Sequence, residues 1–486
     1  MKGANQTIKL ALEVLTPVHI GSGQELYLNL DYVDKGGQPF VVDQSSTFEA
    51  IASGNAALDT VLQGTANLGD LVQLAQAYHG YPLPPLGGKV ATVPQTLREH
   101  IKDAMLRPYV PGSSLKGAIR TALMAEWLRR QDVQSYQRKL PREIPDRRDP
   151  TKRSLSERRQ GFAANDLLKH VFDANPNRDL LRALHVSDAG FQQADLKLAD
   201  IRWLNIVKWG GKERAAWRDM ASKKSVGKWT DTSSFHVETL VPGSLGSVVL
   251  QWDHFLLSDP QRWRAPSHSS ELLPKDFPSL AARLNQHARH LLQREIAFFD
   301  QYQQDKPRQQ CKNMLNLIEQ AQGAAYLRLA WGSGWRGMTG DWQDEKTAGD
   351  MRKLYKLGKE KASDFPKTRR LVVQGVPCLP LGWVKLMPWR DEFLQRRSPE
   401  PTIIEAKPSH PWVEQQMEQI RKQNNSQLDE VLRGQQLAKA WQALEDAELK
   451  QAALADIRSR WQEKGWWENP PGKAAKKAVL IYQEQP

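Results

Sequence analysis

The chain has 486 residues, with 68 Lys and Arg against 55 Asp and Glu, for a formal charge of +13. That length can bury a large core and hold two or three domains, and the basic excess suits a polyanionic partner, either a nucleic acid or an anionic membrane surface. No apolar run approaches the ~20 residues of a membrane span, and no apolar signal core opens the chain. Cys311 and Cys378 are the only cysteines, which excludes a disulfide framework and a cysteine metal site; a cytoplasmic protein is expected.

Thr7–Leu15 alternates as a first strand, which Pro17 ends. Gly21, Ser22 and Gly23 then read as a loop whose backbone can approach a phosphate. His19 beside it is a packing or hydrogen-bonding residue, or else a general base. Leu26–Val42 reads as a hairpin turned at Lys35-Gly36-Gly37-Gln38, with Asp31 and Asp34 as turn or surface residues. Residues 47–106, mixed and broken by a proline-rich stretch, read as an insertion.

Pro111 and Gly112 make the next turn, and Ser113 or Ser114 is expected to cap a helix carrying Leu115, Ala118, Ile119, Ala122, Leu123 and Trp127 on one stripe. Lys116 and Arg120, four apart, share a face. A cation in the first turn opposes the helix dipole unless an anion is bound there. The pattern therefore reads as a phosphate site or as a capped amphipathic helix with two solvated charges. Residues 131–182 form a second insertion, within which the basic run Gln137–Gln160 is a solvated loop or an arm that orders on RNA.

Leu184–Phe191 is expected as a strand. Residues 192–234 form a third insertion, in which Lys208, Lys212, Arg214 and Lys224 lie among Trp203, Trp209, Trp217 and Trp229. Cations interleaved with rings suit single-stranded RNA; a tryptophan-anchored subdomain accounts for them equally. His236–Trp252 is a strand or a pair bent at Pro242-Gly243, and helices follow over about 277–322. His287 and His290 lack a carboxylate partner at metal-ligand spacing, so no metal is expected.

The strand Tyr326–Trp331 runs into Gly332, Ser333, Gly334, Trp335, Arg336 and Gly337. The spacing satisfies a dinucleotide fingerprint, but bulky side chains stand inside it and basic residues follow where an acidic one is wanted. A backbone nest for phosphates, with Arg336 pairing and Trp335 stacking, is the reading preferred, and no cofactor is expected. Beyond Arg397 the composition turns to Gln, Ala and Glu at helical spacing.

Pro111-Gly-Ser-Ser-Leu-Lys-Gly117 with Ile119-Arg-Thr121 resembles the signature of the RAMP proteins, RNA-binding subunits of type III CRISPR effectors. Leu15–Gly23, Val186–Gly190, Glu238–Ser244 and Trp331–Gly340 agree with it in order. Phe365–Leu371 and Pro380–Leu386 resemble the Csm branch, and within it the subunit that caps the 3′ end of the guide RNA in type III-A complexes.

The resemblance implies an α+β fold, an RRM-like (ferredoxin-like) core over residues 1–397 with the insertions named; the helical extension over 398–486 has no counterpart in it and is expected from composition and spacing alone. It implies a non-catalytic subunit that holds the crRNA 3′ end, contributes to crRNA maturation and binds target single-stranded RNA. The expected neighbours are a backbone RAMP subunit and a small helical subunit, with no membrane. The RNA-binding residues expected are His19, Gly21, Ser22, Gly23, Ser113, Ser114, Lys116, Arg120 and the segment Gly332–Gly337, the helix start and the glycine segment converging on one backbone path. The rival is a metal-independent guide-processing endoribonuclease, with His19 or Tyr32 in acid–base roles.

Overall fold

Strand β1 (Asn5–Val14) organises the fold: Leu10, Ala11, Leu12 and Val14 are all inaccessible, so it is buried on both faces. The chain continues through β2 (Gly21–Tyr27), β3 (Tyr32–Asp34), β4 (Pro39–Val42), β5 (Gly80–Pro82), β6 (Thr96–His100) and β7 (Tyr109–Val110) to helix α1 (Gly112–Arg129). Next come β8 (Leu184–Val186), β9 (Ala189–Gly190), β10 (Leu196–Trp209), β11 (Lys212–Arg218), β12 (Ser225–Val226), β13 (Phe235–Leu240) and β14 (Leu245–Asp253). Helices α2 (Phe277–Gln301) and α3 (Asp305–Gln320), strand β15 (Ala325–Arg328), helix α4 (Gly334–Thr339) and strands β16 (Thr368–Gln374), β17 (Val376–Pro380) and β18 (Trp383–Pro388) complete this part.

The structure is a computed structural model that describes residues 5–53, 68–74, 78–87, 93–132, 134–135, 165–259, 261, 264–320, 323–329, 331–343, 349, 352, 365–393, 411–424, 428–463, 466–467 and 469–483. The basic run Gln137–Gln160 lies outside them. The chain divides into two units, Met1–Arg397 and Ser398–Pro486. Among the described residues no helix is long and apolar enough to cross a membrane.

The first sheet has the order β15-β18-β1-β14-β9-β7, with β8 also on β14. Leu10 stands opposite Val248 on β14 and Pro388 on β18. Helix α1 covers this sheet through Leu115, Ile119 and Leu123, all inaccessible, each contributing roughly 1.5–3 kcal/mol by burial. Along the chain β1, α1, β8–β9, β14, α2 and β15 follow one another as strand, helix, two strands, helix and strand. The architecture is mixed α+β.

The second sheet runs β12-β11-β10-β13-β6-β2, with β16 also on β10 and β17 on β16. Residues 192–234, expected as an insertion, therefore contain the long strand that carries this sheet. Every residue from Ala199 to Ile206 except Asp200 is buried, so Trp203 belongs to a core strand, while Lys208 and Trp209 at its end are exposed. The stretch 47–106 likewise delivers β6 to the sheet beside β13. Strands β3, β4 and β5 make a small third sheet. Helices α2 and α3 share a core with Leu204, Ile206, Leu371 and Trp383.

In the second unit, helices span Pro411–Asn424, Leu428–Leu432, Gln435–Gln442, Ala447–Glu463 and Gly472–Gln483. Their core includes Val413, Leu437, Trp441, Ile457, Trp461 and Tyr482.

Candidate nucleic-acid interface

The helix that carries the signature begins differently from the sequence expectation. Pro111 occupies the N-cap position, and neither Ser113 nor Ser114 caps. The capping acceptor is Asp188, whose Oδ1 takes the Gly112 N–H at 2.7 Å. A Cβ on Gly112 would stand 2.2 Å from the Val186 carbonyl oxygen, so glycine lets the helix start press against β8. Asp188, from the Val186–Gly190 motif, thus does the work assigned to the serines.

Two faces of α1 open onto two grooves. Ser114, Gly117, Ala118 and Thr121 line a cavity of about 770 Å³ whose opposite wall is the glycine-rich segment Gly332–Gly337. Ser113 and Lys116 line a separate groove of about 360 Å³ with His185, Ser187 and Gln251. Ser114 and Lys116 are two residues apart, roughly 200° around a helix, so they cannot face the same wall. Arg120 is tied by its Nη2 to Asp179 at 3.0 Å and lies over the Phe172 ring. Ser114 and the glycine segment thus line one cavity, whereas Ser113 and Lys116 line the other groove and Arg120 lines neither, so the helix start does not present these residues to one path as expected.

The glycine segment leaves β15 through a turn with φ of alternating sign: +96° at Gly332, −64° at Ser333 and +74° at Gly334. Such alternation brings successive backbone N–H groups to one side, the geometry of an anion nest. A Cβ at Gly332 would meet Leu381 at 2.8 Å and one at Gly340 would meet Ala125 at 2.6 Å, so these two glycines fit the segment against its neighbours. Gly117 differs: a Cβ there meets nothing within 4 Å. Glycine inside a helix costs about 0.5–1 kcal/mol relative to alanine, and packing does not account for it here.

Charge surrounds the cavity unevenly, with Arg294, Arg328, Arg336, Arg369 and Arg370 against Glu295 and Asp341. Asp341, 2% exposed, receives Arg294 Nε at 2.6 Å, His290 Nε2 at 3.3 Å and the Arg336 guanidinium. Burial pushes its carboxyl up, but His290, Arg336 and Arg294 together outweigh burial and hold it below the usual carboxylate range. Arg129 donates to the carbonyl oxygens of Gly340 (2.8 Å) and Asp341 (3.2 Å). Glu295 holds Arg369 Nε at 2.8 Å and faces buried Arg328, which donates to the Gly332 carbonyl oxygen at 3.3 Å. Arg336, expected to pair with phosphate, is thus engaged by Asp341 and by the Phe365 carbonyl oxygen at 3.0 Å.

Arg370 stands differently. Its guanidinium lies 4.3 Å from the Trp331 ring centroid; Trp331 stacks on Phe235 (5.9 Å, 16°), and Arg98 covers Phe235 at 5.1 Å. Trp203 meets both rings edge-on. Burial and the nearby Arg98 charge both push the Arg370 guanidinium below its ordinary range, a strain that an anion would relieve. Arg370, Arg369 and Thr368 were missed as site residues; the only signal for them was the Phe365–Leu371 stretch, valued for its resemblance alone.

His19 is corrected as an RNA contact. It is 2% exposed, donates from Nδ1 to the Glu238 carbonyl oxygen at 2.8 Å, and packs edge-on to Trp331 at 5.5 Å. Desolvation takes its pKa down to about 4, against the Glu238 hydrogen bond. Gly21, Ser22 and Gly23 form the start of β2, an edge strand on β6, instead of a free loop, with the register shift between Gly21 and Glu25 absorbing Gly23 at φ +96°. Ser22 Oγ donates to Glu99 at 2.6 Å. Tyr32 is inaccessible, its hydroxyl donating to the Pro94 carbonyl oxygen. Asp31 and Asp34 accept from the backbone N–H groups of Tyr27 and Gly37 in their turns. Among the described residues no cluster of His, Cys, Asp and Glu is arranged to hold a metal.

The chain belongs to the RAMP superfamily, whose family model matches residues 11–336. It is similar to the CRISPR system Cms protein Csm5 of Streptococcus thermophilus, 29% identical over 142 residues, which cover 26% of this chain and 40% of that relative. Among solved structures it resembles a chain of the Csm-crRNA-target RNA ternary complex of a type III-A CRISPR-Cas system. That likeness has a TM-score of 0.52 at 23% identity and covers 78% of this chain and all of the other. Csm5 of T. onnurineus aligns over 77% of this chain at 22% identity with a TM-score of 0.47.

Proposed function

We propose that this chain is a non-catalytic RNA-binding subunit of a type III-A CRISPR effector, holding the 3′ end of the crRNA and contributing to its maturation and to target RNA binding. The observation that carries this reading is the cavity joining the signature helix to the glycine-rich segment, with five guanidiniums against two carboxylates and rings along one wall. Family membership and the similarity to Csm5 support it. On this reading the first sheet is the RRM-like core. Its four strands β1, β8–β9, β14 and β15 keep the 4-1-3-2 order of that fold, with β18 wedged between β15 and β1. The second unit is the helical extension, and the outer surfaces meet the neighbouring backbone RAMP subunit and the small helical subunit. Two buried free cysteines fit a reducing cytoplasm.

A nuclease is disfavoured because its two acid–base candidates, His19 and Tyr32, are both out of reach of a substrate. The phosphate contacts are assigned to Arg370 and the Gly332–Gly334 backbone, with Lys116 and Ser113 as a separate contact in the neighbouring groove.

Single-stranded RNA binding should weaken steeply with salt, at a log–log slope of about −0.7 per phosphate neutralised. Arg370→Ala should lower affinity for all sequences alike and reduce that slope by about 0.7. Lys116→Ala should do the same from its own groove, the two losses adding within about 0.5 kcal/mol. Fluorescence anisotropy between low and high salt reads all three. A flat salt response, or metal-independent cutting of repeat RNA by the purified chain, would contradict the proposal.

A further inference from the structure

We infer that the cavity between α1 and the glycine-rich segment receives one unpaired nucleotide of the RNA, its base in the open space over Gly117 and its phosphate at the Gly332–Gly334 turn. This rests on the RNA-binding reading above and adds to it a nucleobase pocket.

The argument begins with Gly117. An interior helix position favours alanine, and the surroundings here would accept a methyl group without contact. The neighbours on the same face, Ser114, Ala118 and Thr121, are also small. One side of the cavity is therefore a low floor along two turns of helix, and among the described residues nothing stands within 4 Å of a Cβ built at Gly117. The facing wall carries what a base would use: the edge of the Trp331–Phe235 stack, Trp203, and the guanidinium plane of Arg370. Unstacked bases are held on such rings and guanidinium planes.

Size and charge select the occupant. A volume of about 770 Å³ lies within the range that holds a small ligand and is too small for a paired duplex. The arginine excess disfavours an apolar or cationic ligand. The nest at Gly332–Gly334, open on its outer side since a Cβ on Gly334 meets nothing within 4 Å, offers a place for the attached phosphate.

The test combines cavity-filling variants with RNAs carrying a single abasic site at successive positions, which removes one base and keeps every phosphate. With wild-type chain, one abasic position should cost about tenfold in affinity while the others cost little. Gly117→Ala should melt higher than wild type. Gly117→Leu and Gly117→Trp should melt no lower than wild type and lose about tenfold in affinity with an unchanged salt slope. They should also no longer distinguish the sensitive abasic position. Folded Gly117→Trp binding as tightly as wild type, or an abasic walk with no sensitive position, would overturn the pocket while leaving salt-dependent RNA binding intact. Absence of wild-type RNA binding would instead overturn the reading beneath it. Saturation of the cavity by adenosine monophosphate without competition from RNA would assign it to a free nucleotide and overturn the inference as stated.

Discussion

Asp341→Ala is expected to destabilise the Met1–Arg397 unit by about 3–5 kcal/mol, the cost of removing one partner from a buried ionic cluster. The carboxylate is 2% exposed and faces Arg294, Arg336 and His290, with Arg129 bracing the adjoining backbone. Alanine would leave the partly buried Arg294 and Arg336 guanidiniums without their counter-charge, and the Gly332–Gly340 segment would lose its side-chain attachment to α2 while keeping the Arg129 bonds to its backbone. Asp341→Asn keeps the shape and part of the hydrogen bonding and should cost less. RNA affinity should fall in both variants in proportion to the disorder of the segment, since neither change adds or removes a proposed phosphate contact. Denaturant midpoints at unchanged m-value, with hydrogen exchange over 332–340, measure it. An Asp341→Ala chain within 0.5 kcal/mol of wild type would show that the network does not hold the segment.

A second large effect is expected on acidification. Burial lowers His19 to about 4 and His287 to about 3, in His287 with the charge of Arg129 adding to burial. In the unfolded chain both return to near 6.5. Their folded pKa values are depressed, so the unfolded state binds more protons between about 4 and 6.5. Stability is therefore full above about pH 6.5 and declines as pH falls through that window, by up to about 1.4 kcal/mol per pH unit for each histidine. For His19 alone the total is on the order of 3 kcal/mol. His19→Asn, which keeps a donor for the Glu238 carbonyl oxygen, should flatten its share. Melting curves from pH 7.5 to 4.5 read the slope, and a pH-independent midpoint would contradict the burial of both rings as neutral imidazoles.

How much of this was legible in the chain depends on whether the cause was local. The helix at Gly112 and its apolar stripe were readable because 3.6-residue spacing is written in consecutive positions. The Trp331–Gly340 segment stood out through its glycines, and its approach to the helix start followed from the family resemblance. Which face of the helix it approaches was not readable. Lys116 attracts attention as a charge, but only the packing of Leu115 and Ile119 into the core sets Ser114, Gly117 and Thr121 toward the segment. Asp188 as cap and Glu238 as anchor of His19 lie 76 and 219 residues from their partners, beyond any spacing rule. Glycines at 21 and 23 suggested a loop because a bulged edge strand tolerates the same residues. The strand Leu196–Trp209 was hidden by its tryptophans and lysines, which looked like a nucleic-acid surface; the sheet buries Trp203, while Lys208 and Trp209 at the strand's end stay exposed.

The most direct test of the central claim is photo-crosslinking of 4-thiouridine-substituted single-stranded RNA to the full chain, with the attached peptides identified by mass spectrometry. The account predicts adducts within Trp331–Met338 and on the α1 segment Ser114–Thr121, reduced together by Arg370→Ala. Efficient crosslinks confined to other surfaces, with these two segments unlabelled, would contradict it.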